Sequence, residues 1–222
     1  CNTSHYFADR LQSELSIPII HMIRETAAAL AAQGKKRPGI LGTDGTIRTG
    51  LYQKECAALG LEAVAPDADT QKLVMSIIYD EIKQGERGSR EKFAQIDKAI
   101  RAAGCDCAIL ACTELSVFAT YHALPSFYLD AMMVMAERAV ERCGYNGQWW
   151  YRCFDDDGSP IGGPRSAFGK LWLNPQSWAV ISGVGTTAQN RSAMEAVYRQ
   201  LCTDVGLRLL YPGFQTYPNE PE

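Results

Sequence analysis

"CDCAILACTEL", residues 105–115, is the stretch whose reading decides the fold of this chain. Its centre, Cys107 to Ala111, is apolar without interruption and bounded by polar residues, as a short strand buried on both faces of a parallel sheet should be. Cys112 then falls at the strand's carboxyl end, where open α/β sheets gather their ligands. A thiol in that position is activated by a nearby cation or helix N-terminus.

Three further runs upstream have the same character: "IPIIHMI" (17–23), "RPGILGT" (37–43) and "LEAVAPD" (61–67). Helical patterns lie between them. "RETAAALAAQG" is built from strong helix formers and ends at Gly34, and "TGLYQKECAALG" ends the same way at Gly60. "DTQKLVMSIIYDEIKQG" sets Leu73, Ile77, Ile78 and Ile82 on one stripe, and "SREKFAQIDKAIRAAG" does so with Phe93, Ile96 and Ile100. Alternating strands and helices predict an α/β fold with a parallel sheet. "GTDGT" (42–46) stands at another strand end and opens a helix, so its amides and hydroxyls suit a carboxylate.

Beyond Cys143 the character changes, and aromatic content marks the boundary. All four Trp (149, 150, 172, 178) follow it, and all three His (5, 21, 122) precede it. "QWWYRCF", the turn-rich "DDDGSPIGGPRS" and "GKLWLNP" read as a hairpin-like excursion. "TTAQNRSAMEAVYRQLCTDVG" reads as a helix capped near Thr187 or Asn190 and ended by Gly206.

Composition narrows the function. The chain has 222 residues, 46% of them hydrophobic, enough for one large or two small cores. Apolar runs such as "AAALAA" are far shorter than the roughly 20 residues that span a bilayer. A net charge of -3 with no block of like charge offers no footprint for nucleic acid or anionic membrane. The eight cysteines show neither C-x-x-C nor a histidine pair at metal spacing. The expectation is a soluble, cytoplasmic protein with reduced thiols, small-molecule partners and no metal.

The segments "CNTSHYFADRLQSELSIPIIHMIRETA", "GILGTDGTIRTGLYQ", "VMSIIYDEIKQG" and "AILACTEL" together resemble the aspartate/glutamate racemases, in particular the aspartate racemase branch. The resemblance covers residues 1–143, the first expected domain. It implies a racemase acting on aspartate or glutamate without a cofactor, through two cysteines on opposite faces of Cα, here Cys1 and Cys112. It further implies that Asn2, Thr3, Thr43 and Thr113 bind the α-carboxylate and amino group, and that Lys83 faces the substrate carboxylate. Glu114 bears on substrate choice, because the glutamate racemase branch carries His after the corresponding Cys-Thr. Family members carry a glycine-rich strand and a substrate-binding arginine before the first cysteine. The domain is therefore expected to lack its first βα units. A homodimer is compatible with this reading.

Other readings of the same residues are plainer. Cys56, Cys105, Cys107, Cys143, Cys153 and Cys202 suit small buried hydrophobes. His5 either tunes a thiol or faces solvent, Lys83 sits on a helix where solvated lysines are common, and Asp155 to Asp157 suit a solvated turn. The tryptophans suit either a core or a sugar-stacking surface. An N-terminal cysteine hydrolase, and an inactive product of a truncated or misjoined frame, complete the alternatives.

"GYNGQWWYRCFDDDGSPIG", "GKLWLNPQSWAVISGV" and "GLRLLYPGF" resemble the cellobiose and chitobiose phosphorylases, whose catalytic domain is an α/α-barrel. Residues 144–222 are thus expected to be a fragment of such a domain, whose parent would handle sugar and phosphate. The family's general-acid aspartate lies upstream of this stretch and its phosphate-binding residues largely downstream, so no catalytic residue is carried over.

Overall fold

The computed structural model describes residues 2–15, 19–155 and 158–214. The chain divides into two compact units, Cys1–Ala136 and Glu137–Glu222.

The first unit is built on a parallel sheet. β1 (Pro38–Leu41) pairs in register with β2 (Cys107–Leu110), and β2 pairs with β3 (Tyr128–Asp130). On the outer side of β1, Val64 adds a parallel bridge through Ile40 N–H to Val64 O (2.9 Å) and Val64 N–H to Pro38 O (2.8 Å). Every residue of β1 and β2 is buried. Their side chains alternate between two clusters, as period-two geometry requires. Leu41, Ala108 and Leu110 join Ile77, Ile96, Ile100 and Phe118 on one face. Ile40, Cys107 and Ile109 join Met22, Leu30 and Tyr52 on the other.

The helices that cover these faces begin and end where local chemistry stops them. α1 (Ala8–Glu14) precedes α2 (Met22–Ala32), whose N-terminus is capped by His21 Nδ1 accepting from Arg24 N–H at 3.3 Å. Thr43 caps α3 (Asp44–Arg48), α4 (Leu51–Ala57) follows, and Asp67 caps α5 (Ala68–Ser76). Ser89 caps α6 (Arg90–Ala102), α7 (Thr113–Tyr121) follows β2 directly, and α8 (Ala131–Ala139) follows β3. Gly34 and Gly60 close helices at positive φ, as the sequence leads one to expect, and Gly104 does the same after α6.

Cys143, Cys153 and Cys202 are exposed rather than buried, and three expectations about the elements of the first unit need correction. "IPIIHMI" forms no strand among its described residues: Met22 and Ile23 open α2 as its buried first turn, because a short apolar run fits a helix end as well as a strand. "LEAVAPD" contributes a single bridge, since Pro66 has no N–H to extend the ladder. "DTQKLVMSIIYDEIKQG" is not one helix. It leaves α5 for a π-helical turn at Ile77–Glu81 and a tight 3-10 turn at Ile82–Gln84.

The second unit has a core of Trp149, Trp150, Leu171, Ala193, Val197 and Leu201. β4 (Cys153–Phe154) pairs antiparallel with β5 (Pro160–Ile161). β6 (Leu171–Trp172) leads into α9 (Leu173–Ser182), and α10 (Thr187–Leu201) follows. Thr186 and Gln189 complete a capping box on α10. That helix ends at Leu201, short of Gly206, because β7 (Cys202–Thr203) and β8 (Gly206–Leu207) turn back as a small hairpin. β6 pairs with β9 (Leu210–Tyr211), so the expected single hairpin is two separate pairings.

Candidate active site

The sheet order Val64, β1, β2, β3 creates a switch point. From β1 the chain crosses to Val64 on one side and later returns to β2 on the other, so the connections diverge between β1 and β2. In doubly wound sheets the ligand crevice opens beyond the carboxyl ends of the strands at that divergence. The loops there begin at Gly42 and Ala111. They pack tightly, since a Cβ on Gly42 would sit 3.0 Å from Ala111 O and 3.3 Å from Ala111 Cβ.

After β1, Thr43 accepts Thr46 N–H at 3.3 Å as the cap of α3, and its hydroxyl lies 3.2 Å from that of Thr46. Thr3 Oγ1 approaches the same Thr46 hydroxyl at 3.4 Å, so three threonines converge. Gln71 on α5 steadies this loop by donating to Gly42 O (3.0 Å) and Asp44 Oδ1 (2.9 Å). Asn2 is buried, and its Oδ1 accepts from the hydroxyl of fully buried Tyr52 at 2.6 Å.

After β2, Cys112 takes the N-cap position of α7 and donates its thiol proton to Glu114 Oε2 at 2.8 Å. Thr113 Oγ1 donates to the same oxygen at 3.0 Å, and Lys83 Nζ lies 3.8 Å from Glu114 Oε1. Burial first, and then the hydrogen bond to the Glu114 carboxylate, push the Cys112 thiol up to about 12. Burial opposes the charge on Glu114 as well. The bonds from Cys112, its own backbone and Thr113, together with the Lys83 charge, outweigh it and hold the carboxyl below its ordinary range. Cys112 thus keeps its proton beside an ionised carboxylate.

Two groups therefore form among the described residues: Thr3 with Thr43, and Lys83 with Cys112, Thr113 and Glu114. Asn2 faces Tyr52, and Cys1 lies outside the described residues. Tyr52 and Gln71 escape the sequence reading, and Thr46 enters it only as one of the "GTDGT" hydroxyls. Tyr52 and Gln71 look like ordinary helix residues and carry no signal.

With this geometry in view, the family relationships are direct. The Asp/Glu/hydantoin racemase family model matches residues 1–139, and the chain belongs to that family. The model of the glycosyl hydrolase 94 superfamily catalytic domain matches residues 113–222. The broad specificity amino-acid racemase RacX of Bacillus subtilis is 36% identical over 67 residues, covering 30% of this chain and 29% of RacX. The 3-O-beta-D-glucopyranosyl-beta-D-glucuronide phosphorylase of Paenibacillus borealis is 41% identical over 76 residues, covering 34% of this chain and 10% of that protein. Among solved structures, an aspartate racemase homologue from Pyrococcus horikoshii matches with a TM-score of 0.56 and 26% identity, covering 64% of this chain and 63% of that one. The chain thus spans less than two thirds of each of these relatives. Among the described residues no helix is long and apolar enough to cross a membrane.

Proposed function

We propose that residues 1–143 belong to a cofactor-independent amino-acid racemase of aspartate type, with Cys1 and Cys112 as its acid/base pair. The observation that carries this reading is Cys112 itself. It sits at the switch point with its thiol 2.8 Å from Glu114, beside a loop where Thr3, Thr43 and Thr46 gather their hydroxyls. An α-proton beside a carboxylate is a very weak acid, so the site must direct donors at the charge that develops and hold a base at the right distance. In the forward direction Cys1, as thiolate, takes the α-proton from one face and Cys112 gives its own proton to the other. The products are a Cys1 thiol, a Cys112 thiolate and the mirror-image amino acid, and the reverse reaction exchanges the two roles. Thr3, Thr43, Thr113 and Asn2 hold the α-carboxylate and ammonium, Lys83 the side-chain carboxylate, and Glu114 keeps Cys112 protonated until substrate enters.

The test is deuterium uptake from solvent at Cα of L- and D-aspartate, measured in the longest natural reading frame that contains residues 1–139. Exchange with both enantiomers that vanishes in Cys112→Ala is expected; exchange that survives the substitution overturns the assignment. A cytoplasmic homodimer is part of this proposal, and sedimentation of the same protein checks its assembly.

A second reading concerns residues 144–222. Their match to the glycosyl hydrolase 94 catalytic domain supports a piece of an α/α-barrel phosphorylase, to which α9 and α10 contribute two packed helices. Phosphate-dependent release of a sugar 1-phosphate by the natural protein that carries this segment tests it.

A further inference from the structure

The break in the helix after α5 carries an inference of its own. A regular helix would run on through Ile82. Instead the chain widens into a π-helical turn at Ile77–Glu81, tightens at Ile82–Gln84 and stops at Gly85 with φ 88°. Single π turns inside helices recur at functional positions because they re-aim the side chains that follow. Glu81 and Lys83, two residues apart, project to opposite sides of such a turn. Lys83 lies 3.9 Å over the Tyr79 ring and 3.8 Å from Glu114. Glu81 points inward, only 7% exposed.

A buried carboxylate is costly unless paired, and this one is fully engaged. Its Oε2 accepts Ser89 N–H at 2.6 Å, and its Oε1 accepts the Lys92 ammonium at 2.5 Å. Lys92 also donates to Ser76 Oγ at 2.9 Å, at the last residue of α5. Glu81 and Lys92 therefore tie both ends of the turn to the first residues of α6, whose cap is Ser89 itself. We propose that Glu81 is a positioning residue: its carboxylate, shared by Ser89 N–H and the Lys92 ammonium, fixes the bulged turn that delivers Lys83 to Glu114 and the candidate site.

The inference rests on the reading of Lys83 as the contact for the substrate's side-chain carboxylate, and two measurements keep them apart. The first needs no activity. In protein labelled with 13C-lysine, the Hε resonances of Lys83, identified by Lys83→Arg, are expected upfield because of the Tyr79 ring. In both Glu81→Gln and Lys92→Met they should move most of the way to the positions of exposed lysines, with cooperative unfolding retained. Unshifted resonances in the parent protein, or resonances unmoved in both variants, overturn the proposal. So does loss of the fold in both, because the carboxylate then holds the unit rather than the lysine. The second measurement is the KM for aspartate in the exchange assay. It should rise about tenfold in Glu81→Gln, the value of one lost charge-assisted contact, with kcat within about twofold. If the resonances move as expected but Lys83→Met leaves that KM unchanged, the role of Lys83 fails and the clamp stands.

Discussion

The two units solve the same problem, burying enough apolar surface, with different materials. The first uses a sheet. Ile40, Leu41, Ile109 and Leu110 fill cores on both of its faces, so the strand ends at Gly42 and Ala111 are left to carry polar chemistry. The second uses tryptophan. Trp149 Nε1 donates to Gly162 O and Lys170 O, Trp150 Nε1 donates to Asn190, and buried Gln176 clasps the Trp150 backbone through its N–H and carbonyl. Both indoles thus use their polar edge on structure, and the burial of both rings leaves neither face available to a sugar. Trp172 is half-buried and donates its Nε1 to Gly169 O, and Trp178 at 66% exposure is the most open of the four to that role. The lesson is that a sheet separates packing from chemistry, whereas an aromatic core consumes its own polar handles.

The contrast can be broken most severely from the tryptophan side. Trp150→Ala removes the ring that packs against Tyr145 and Gly185, and should cost the second unit about 3–5 kcal/mol. Because all four Trp lie from residue 149 onward, fluorescence excited at the red edge, where tyrosine does not absorb, follows that unit alone. Its transition should fall while the far-UV signal of the sheet unit persists.

On the sheet side the sharper probe is Gly42→Ala, whose new Cβ meets Ala111 backbone oxygen at 3.0 Å. We expect a loss of about 1–3 kcal/mol in denaturant unfolding, since a backbone atom cannot step aside as a side chain would. A neutral result would mean that the two strand-end loops are looser than their packing implies.

A smaller effect is expected at the thiol. Glu114→Gln removes the carboxylate that accepts the Cys112 proton, leaving burial as the main reason the thiol stays neutral. Alkylation of Cys112 by iodoacetamide at pH 8, followed site by site with mass spectrometry, should accelerate about tenfold, as a fall of one pKa unit dictates. Smallest of all is Thr186→Ala, which opens the capping box of α10 and should cost about 1 kcal/mol in the fluorescence transition.

Much of the first unit is legible in the sequence because its strands are short apolar runs and its helices end on glycine. β1 and β2 fall inside "RPGILGT" and "CDCAILACT", and Cys112 is visible as the residue just past a strand. β3 escapes because Tyr128 to Asp130 are only three residues, half-buried, and defined by their pairing with Ala108 to Leu110. The π-helical turn escapes for a different reason. Its sequence keeps the helical stripe of Ile77, Ile78 and Ile82, and only the partners of Glu81 across space reveal that the register has changed. In the site, residues with distinctive chemistry stand out, whereas Tyr52, Gln71 and Glu81 act through contacts 50, 29 and 8 residues away.

The bond from Tyr52 to Asn2 makes the protein its own optical gauge. Burial raises the ionisation of the Tyr52 phenol far above its ordinary range, and its hydroxyl is sealed by the amide of the second residue. A phenolate absorbs where a phenol does not, so this ring stays dark at a pH that lights up an exposed tyrosine. It brightens when the burial that the Asn2 amide completes is lost. Tyr128, half-buried and bonded to Asp97, stays dark as well, so in Tyr128→Phe the slow phase of an alkaline absorbance jump would time the opening of the core around Tyr52 and Asn2, with no label attached.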